Sequence, residues 1–588
     1  LETSAVRARQ PAVCLLSPPY RSKAQLYLPL PRLSLAVEVH RRVYAPYAYE
    51  DKYRRKRGEY IIINVLFHCP LDFFSYLCIS QRRHKMYAKI HQIIRKIKPL
   101  FQKLMIANEL SRLVTSALGF QPTSDQAAAV GVFSRFVVST VARSAMILCG
   151  SAGTGKTSLA GAMVRRMLML GRRVVLLAPT GRAAKVLSLN AGAPASTIHR
   201  KIYRQKAFTG DMTGFSLGDN LHCETLFIVD ESSMISNGSG SGIAAFGSGC
   251  LLDDIMQYVY AGGHGCRIMF IGDKAQLPPV GEEESPALST AVIEGYGLEV
   301  YRADLAMVMR QAEHSGILWN AARIRSLITR DEVTALPKIR FRGFADVCVV
   351  RGDVLIEQLA DSYAEVGTDE TIVVTRSNKT ANIYNRGIRA MVLDCEEELS
   401  SGDMLMVVRN NYYWAEREKS GGLSFIANGD RAVVRRVRNV REMHGFRFAD
   451  VRMSFPDYDD CELQTTVILD TLGSEEAALT REQGERLFAS VLEDYSDIPR
   501  KAERMDRIKH DIYYNALQVK YAYAVTCHKA QGGQWAHVYI DQGYMTDDML
   551  TPAYIHWLYT AFTRASEKLF LINWSPRQTD NDGTGSGQ

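Results

Sequence analysis

The sequence predicts an α/β protein of two parallel-sheet domains built around a phosphate-binding loop, and three observations carry that prediction. First, Gly150-Ser-Ala-Gly-Thr-Gly-Lys156-Thr157 has the G-x-x-x-x-G-K-T spacing of such a loop. The apolar run Ala145–Cys149 before it reads as a buried strand, and Ser158–Leu170 after it reads as a helix closed by Gly171. Second, Leu226–Val229 repeats the buried-strand pattern and ends in Asp230-Glu231. Third, further strand-like runs at Val174–Leu177, Ile268–Ile271, Thr371–Thr375, Val538–Asp541 and Leu569–Trp574 recur down the chain. Most of them end at short polar motifs. Apolar strands that end at loops carrying chemistry are the mark of parallel sheets covered by helices.

The chemistry of the loop follows from its residue types. Its glycines let the backbone curl so that N–H groups and the helix N-terminus point at phosphate oxygens. Gly150, Gly153, Thr154, Gly155, Lys156, Thr157 and Ser158 form the nucleotide-binding set. Lys156 would reach the β- and γ-phosphates, and the Thr157 hydroxyl would hold Mg²⁺. Asp230 is placed to hold the same ion, and Glu231 to polarise the attacking water. The expectation is hydrolysis of a nucleoside triphosphate, with ATP and Mg²⁺ as cofactors.

The bulk properties bound the rest. At 588 residues the chain exceeds what one core supports and should divide into three or four domains. It is 47% hydrophobic and 23% charged, an ordinary globular composition. Its eleven cysteines include no C-x-x-C pair, which argues for reduced thiols in a cytoplasmic setting rather than a zinc site or a disulfide framework. The net charge is +8, but residues 1–104 hold 20 Lys and Arg against 6 Asp and Glu. The remainder holds 51 against 57 and is mildly acidic, so a nucleic-acid track must be a local stripe. Within the basic N-terminal part, the apolar stretch 60–79 is broken by Asn64, His68, Pro70 and Asp72, and no membrane partner is expected. The functional part is expected to begin near Met86 or Met105.

Further blocks follow in order. They are Phe120-Gln-Pro-Thr-Ser-Asp-Gln126, Ala178-Pro-Thr-Gly-Arg-Ala-Ala-Lys185, Ala195-Ser-Thr-Ile-His199 and Ile268-Met-Phe-Ile-Gly-Asp273 with Gln276-Leu-Pro-Pro-Val280 behind it. Val308-Met-Arg310-Gln311, Ala524-Val-Thr-Cys-His528-Lys529-Ala-Gln531-Gly532 and Leu558-Tyr-Thr-Ala-Phe-Thr563-Arg564-Ala565 complete the set. Over about residues 110–575 this order resembles the superfamily 1 DNA helicases, in particular their RecD-like branch. The resemblance implies two RecA-like motor domains that close on ATP. It also implies translocation on single-stranded DNA in the 5′-to-3′ direction.

Site roles come from the same resemblance. Gln126 would make paired hydrogen bonds to the adenine edge. Gln276 resembles the γ-phosphate sensor, and Gly532 joins the nucleotide-binding residues. Arg310 and Arg564 resemble the two arginines presented by the second motor domain. A planar guanidinium stabilises charge on the transferred phosphoryl group, so an arginine from across a cleft makes hydrolysis depend on closure. Thr180, Arg182, His199, Thr526, His528 and Lys529 would line the nucleic-acid track and contact phosphates. Pro179 and Pro278 read either as apolar contacts to bases or as simple turn-makers.

The expected organisation is a basic extension over 1–104, a first RecA-like domain over 105–345, and a second over 346–400 and 520–576. A small β-hairpin insertion is expected near 202–220. An insertion over 401–519 alternates apolar and polar residues around Asn428-Gly429-Asp430, consistent with an SH3-like barrel, and ends in a charged, helix-prone stretch at 475–512. Ser236–Gly249 reads as a mobile loop, and residues 577–588 as a disordered tail. The expected partners are single-stranded and forked duplex DNA, with recombination or repair proteins as candidates. A DNA-dependent ATPase that remodels protein–DNA complexes without unwinding, and an RNA helicase, are the rival readings.

Overall fold

The computed structural model describes residues 103–205, 215–238, 247–262, 265–307, 315–328, 335–418 and 426–580. Most of the N-terminal extension, the tip of the expected hairpin, the centre of the Ser236–Gly249 loop, the Val308–Gln311 block with Arg310, and the final residues of the tail lie outside them.

The first sheet has six strands, all parallel. They are β1 (Ser144–Gly150), β2 (Arg173–Ala178), β3 (Ala195–Thr197), β6 (Thr225–Val229), β7 (Arg267–Gly272) and β8 (Glu299–Leu305), in the order β3-β2-β6-β7-β1-β8. Between β3 and β6 the chain turns out into the antiparallel pair β4 (Tyr203–Gln205) and β5 (Phe215–Leu217). Both faces of the sheet are covered, which is why its strands are apolar without interruption. On one face Met146, Leu148, Ile228 and Met269 pack under helices α1 (Ser124–Val138) and α2 (Lys156–Met169). On the other, Ala145, Ile147, Phe227, Val229 and Phe270 pack under the helix Leu251–Tyr260. Helix α3 (Gly181–Ala191) follows β2, capped by the Thr180 hydroxyl, which accepts the Ala183 N–H at 3.3 Å.

The second sheet comprises β9 (Val347–Val350), β10 (Thr371–Thr375), β16 (Ala524–Thr526), β17 (Trp535–Asp541) and β18 (Ala565–Ile572). These five strands are also parallel, in the order β16-β10-β17-β18-β9. Between β10 and β16 lies a closed barrel of β11 (Met404–Val407), β12 (Arg431–Met443), β13 (Phe446–Phe455), β14 (Cys461–Ile468) and β15 (Leu517–Tyr521). Its pairings are antiparallel except β14–β15. Two helices, Arg481–Glu493 and Lys501–Lys509, fall in the charged stretch before β15 and bury Leu487, Val491, Met505 and Ile508 against Phe446 and Phe448.

Two sequence expectations are displaced by packing. Tyr521 falls in the stretch 520–576 expected to belong to the second domain, but it pairs with Leu405 in the barrel, and the chain enters the second sheet only at Ala524. Helix α4 (Gly316–Ile328) falls in the stretch expected to belong to the first domain. Its buried face of Ile317, Ala321 and Ile324 instead joins the apolar core of the second sheet, beside helix α5 (Pro552–Phe562). Ile339 continues this attachment by bridging to Thr579. Periodicity shows that a helix has an apolar face, but not which sheet that face meets.

Barrel and first sheet meet closely at Gly181. A Cβ there would lie 2.4 Å from the Tyr458 hydroxyl and 2.5 Å from Asp430 Oδ1. Those two groups are themselves hydrogen-bonded at 2.9 Å, so neither is free to swing aside without losing its partner. Gly181→Ala should therefore cost about 1–3 kcal/mol, the usual penalty of overpacking. A urea midpoint unchanged from wild type would show that the contact opens readily.

Candidate nucleotide site and interdomain seam

The loop between β1 and α2 takes the shape its glycines allow. Gly153 and Gly155 have φ of 75° and 77°, in the left-handed region that side chains disfavour. Gly155 is the N-cap of α2 and supplies no side-chain hydrogen bond, so the first amides of that helix stay available to an anion. By contrast, hydroxyls cap the starts of α1, α3 and α5. Gly150 is required by crowding, since a Cβ would sit 2.7 Å from Thr154 Oγ1 and 2.9 Å from Lys156 Cγ. Lys156 Nζ folds over its own loop, donating to the carbonyls of Gly150 at 2.5 Å and Ser151 at 3.0 Å. Thr157 lies next to it on the first turn of α2, and Ser158 is exposed.

Asp230 and Glu231 end β6. Asp230 is buried, and its Oδ1 accepts the Glu231 N–H at 2.9 Å. Burial first, and the Glu231 charge second, push its carboxyl up to about 7, while Lys156 pulls the other way. A divalent cation would offset both effects, and the hydroxyl of Thr157 with the carboxylate of Asp230 gives the hard oxygen donors that Mg²⁺ prefers. Glu231 has φ 50°, a left-handed conformation costly for a residue with a side chain. Gln276 is buried, and its Oε1 has no hydrogen-bond partner, an orphaned acceptor of the kind a ligand or water satisfies.

Gln126 is buried against the loop. Its Nε2 donates to the Thr154 carbonyl at 2.9 Å, and its Oε1 accepts the Thr123 N–H at 3.0 Å. The amide thus braces the loop and caps α1, and an adenine edge would have to compete for it.

Sequence reasoning passed over Asp273 and Tyr559, which the structure brings to the centre. Tyr559, on α5 of the second domain, accepts the Ala152 N–H of the phosphate loop at 3.0 Å and donates to Asp273 Oδ2 at 2.6 Å. Asp273 also lies 4.0 Å from Lys156 Nζ. Along the same seam, Thr560 Oγ1 accepts the Leu277 N–H at 2.7 Å and Gln531 Nε2 donates to the Leu277 carbonyl at 2.7 Å. His556 Nδ1 stands 2.9 Å from the Ala275 carbonyl. The only advance signal was adjacency: Asp273 follows an apolar strand, and Tyr559 shares a motif with Arg564.

Arg564 itself is turned inward. It is 3% exposed, and its guanidinium donates to the carbonyls of Thr560 and Gly533, both at 3.0 Å, and to Thr563 Oγ1 at 3.1 Å. Gly532, with φ 74°, is seated on the first domain rather than on the loop. A Cβ there would lie 3.0 Å from Thr180 Oγ1 and 3.3 Å from Ala183 Cβ.

Several expected track residues gather where the two sheets and the barrel meet. Arg182 hydrogen-bonds the Gln534 carbonyl, lies 3.5 Å from Glu370, and stacks 4.6 Å over the Trp535 ring. Arg431 of the barrel approaches the same ring at 5.8 Å. Burial, and then Arg431, push Arg182 down to about 10. Lys529 is pushed down to about 8 by burial and by Lys520, while Thr526 starts the short helix that carries it and His528 is exposed. Burial pushes the His199 imidazole down to about 4, so it is neutral at physiological pH. Pro179 and Pro278 are both half-buried.

The pH behaviour of Asp230 has a defined sign. A carboxyl raised in the folded state stabilises folding below its unfolded value near 3.8, and that contribution is lost as pH rises toward 7. Asp230→Asn should therefore gain thermal stability over wild type as pH rises from 4 to 7, then hold that gain. It should also lose the stabilisation that Mg²⁺ with ATP confers. Parallel melting curves across this range for the two nucleotide-free proteins would contradict the burial argument.

Comparison with known sequences places these parts. The family described as an AAA domain matches residues 124–336, and the UvrD-like helicase C-terminal domain matches residues 521–572. An uncharacterised protein of Acanthamoeba polyphaga mimivirus, R530, is 24% identical over 498 residues, covering 72% of this chain and 94% of that protein. The ATP-dependent RecD2 DNA helicase of Deinococcus radiodurans is 32% identical over 136 residues, 23% of this chain and 16% of the relative. The ATP-dependent DNA helicase dda of Enterobacteria phage T4 is 26% identical over 265 residues, 44% of this chain and 55% of the relative. The chain thus spans only part of both named helicases. Among solved structures, Pif1 helicase from Bacteroides with ADP-AlF3 and ssDNA aligns at 15% identity and a TM-score of 0.40, covering 78% of this chain and 94% of the other. With an AAA-domain match over the phosphate-loop sheet and a UvrD-like helicase C-terminal match over the end of the second sheet, the chain is similar to the superfamily 1 helicases in both of its parallel-sheet domains, and these matches support an ATP-hydrolysing enzyme.

Proposed function

We propose that this helicase is an ATP-dependent motor that moves along single-stranded DNA in the 5′-to-3′ direction, as the RecD-like resemblance implies, and acts in DNA repair or recombination. One observation carries the motor reading. The phosphate loop sits where the two parallel-sheet domains meet, and the second domain hydrogen-bonds it directly through Tyr559. A nucleotide entering there must alter that seam, so its binding and loss would change how the domains are held.

The residues present can carry out hydrolysis. Lys156 would leave its own carbonyls for the β- and γ-phosphate oxygens. Mg²⁺, when bound, would neutralise charge on those oxygens. Glu231 would take the proton of a water whose oxygen bonds to the γ-phosphorus, while the bond to the bridging oxygen breaks and ADP departs with the electron pair. Gln276, with its unpartnered oxygen, suits a group that reports the loss of the terminal phosphate. The nearby Thr180 and Arg182 on the first domain, and Thr526 and Lys529 on the second, would contact a backbone that spans both. Such binding would be sequence-independent and salt-sensitive.

Lys156→Ala should abolish ATP turnover, because the phosphates lose their fixed cation. Glu231→Gln should bind ATP and DNA yet turn over slowly, since only water activation is lost. Failure of that variant to bind nucleotide would show that Glu231 has a different role.

Matched duplexes with a single 5′ or 3′ tail test the DNA reading. Displacement from the 5′-tailed duplex is the expected result. DNA-stimulated hydrolysis without displacement would indicate a remodelling translocase, and stimulation by RNA alone an RNA helicase.

A further inference from the structure

Two cations converge on Ser151 of the phosphate loop. One is Lys156, whose Nζ is 3.0 Å from the Ser151 carbonyl. The other is Arg325, whose Nη1 donates to Ser151 Oγ at 2.8 Å. Arg325 arrives from α4, and the preceding residue, Ile324, is 1% exposed in the core of the second sheet. Its guanidinium therefore reaches across the seam from one domain to the nucleotide loop of the other. Among the described residues no carboxylate lies within ion-pair distance of Arg325. Arg323 on the same helix, by contrast, pairs with Asp580 at 2.7 Å. Next to Arg325 along the loop, Tyr559 takes the Ala152 N–H, and the Arg325 charge is felt at the Tyr559 hydroxyl.

A half-buried guanidinium with no carboxylate partner among the described residues, converging with a lysine on one residue of a phosphate loop, is a site that a polyanion completes. Only one of its five N–H donors is used on Ser151. Arg564, the arginine expected from its motif, has its guanidinium committed to Thr560, Gly533 and Thr563 within the second domain.

We propose that Arg325 is a further arginine that the second domain presents to the terminal phosphates of ATP, and that Tyr559 is the positioning residue that seats the domains so that it reaches them. This rests on the ATP-hydrolase reading and adds a residue to its cross-cleft charge. As the γ-phosphorus–bridging oxygen bond breaks and ADP takes the electron pair, the guanidinium offsets charge on the oxygens it faces. Tyr559 acts by bonding the loop and Asp273 together. Its hydroxyl donates to Asp273 Oδ2, the same oxygen that lies 4.0 Å from Lys156 Nζ, so it ties the second domain to the carboxylate beside the loop lysine.

The test uses the full chain with saturating single-stranded DNA and compares Arg325→Ala, Arg325→Lys and Tyr559→Phe with wild type. The readouts are kcat and KM for ATP, affinity for ADP alone, affinity for ADP with aluminium fluoride, and thermal stability. Arg325→Ala should keep ADP affinity within about threefold yet lose about 100-fold or more in kcat, together with its preference for ADP–aluminium fluoride over ADP. Arg325→Lys should recover little, because an ammonium lacks the planar fork. Tyr559→Phe should lower kcat with little change in KM. Wild-type kcat and an intact aluminium fluoride preference in Arg325→Ala would overturn the proposal. A fall in stability and ADP affinity with kcat unchanged would also overturn it, by marking Arg325 as structural. A wild-type chain that hydrolyses no ATP would instead overturn the hydrolase reading itself.

Discussion

The architecture depends on the hydrogen-bonded seam between helix Pro552–Phe562 and the segment Asp273–Leu277. Three side chains of the helix stitch it, Tyr559 to Asp273, Thr560 to Leu277 and His556 at the carbonyl of Ala275, and Gln531, at the end of the short helix Cys527–Ala530, adds a bond to Leu277. Every bond in this set is buried or part-buried, where an amide or carboxylate left without its partner costs about 1–3 kcal/mol. The domains therefore cannot slide past each other by small degrees without breaking several bonds together. A seam of this kind favours discrete arrangements over continuous deformation, which is what a closing and reopening motor requires.

Charge would make the seam sensitive to a nucleotide. Lys156 is folded on its own carbonyls, Arg325 rests on a serine hydroxyl, and Asp230 is buried with its proton affinity raised. Each is a compromise that a triphosphate with its divalent ion would relieve. Phosphate oxygens outcompete neutral carbonyls for ammonium and guanidinium groups because charge-assisted hydrogen bonds are roughly twice as strong as neutral ones.

A second compromise lies where the residues proposed to bind the strand gather. Arg182 occupies a junction of both sheets and the barrel, held by Gln534, Glu370 and the Trp535 face. Burial makes its charge costly there. A DNA phosphate would offer the same guanidinium a better partner than the partly exposed Glu370. Under the proposed function, nucleotide and strand would act on the same pair of domains through separate charged contacts, and either would bias the other by population shift.

By itself the sequence determined the α/β class, the parallel-sheet pattern and the strand–loop–helix of the phosphate site. These are local: Gly150 to Thr157 is one continuous segment, and its conformation follows from glycines that accept positive φ. Asp230 and Glu231 were legible for the same reason, as the end of an apolar strand. Tertiary structure alone decided where Gly316–Ile328 docks, that Tyr521 closes the barrel, that Gly532 seats on Thr180 and that Arg564 turns inward. It also brought Tyr559 to Ala152 and Arg325 to Ser151, pairs separated by 407 and 174 residues. The physical reason is the same in each case. An apolar period records that a face is buried and a motif records that a charge is present, but the partner of either is set by which elements pack together, and no local pattern encodes that choice.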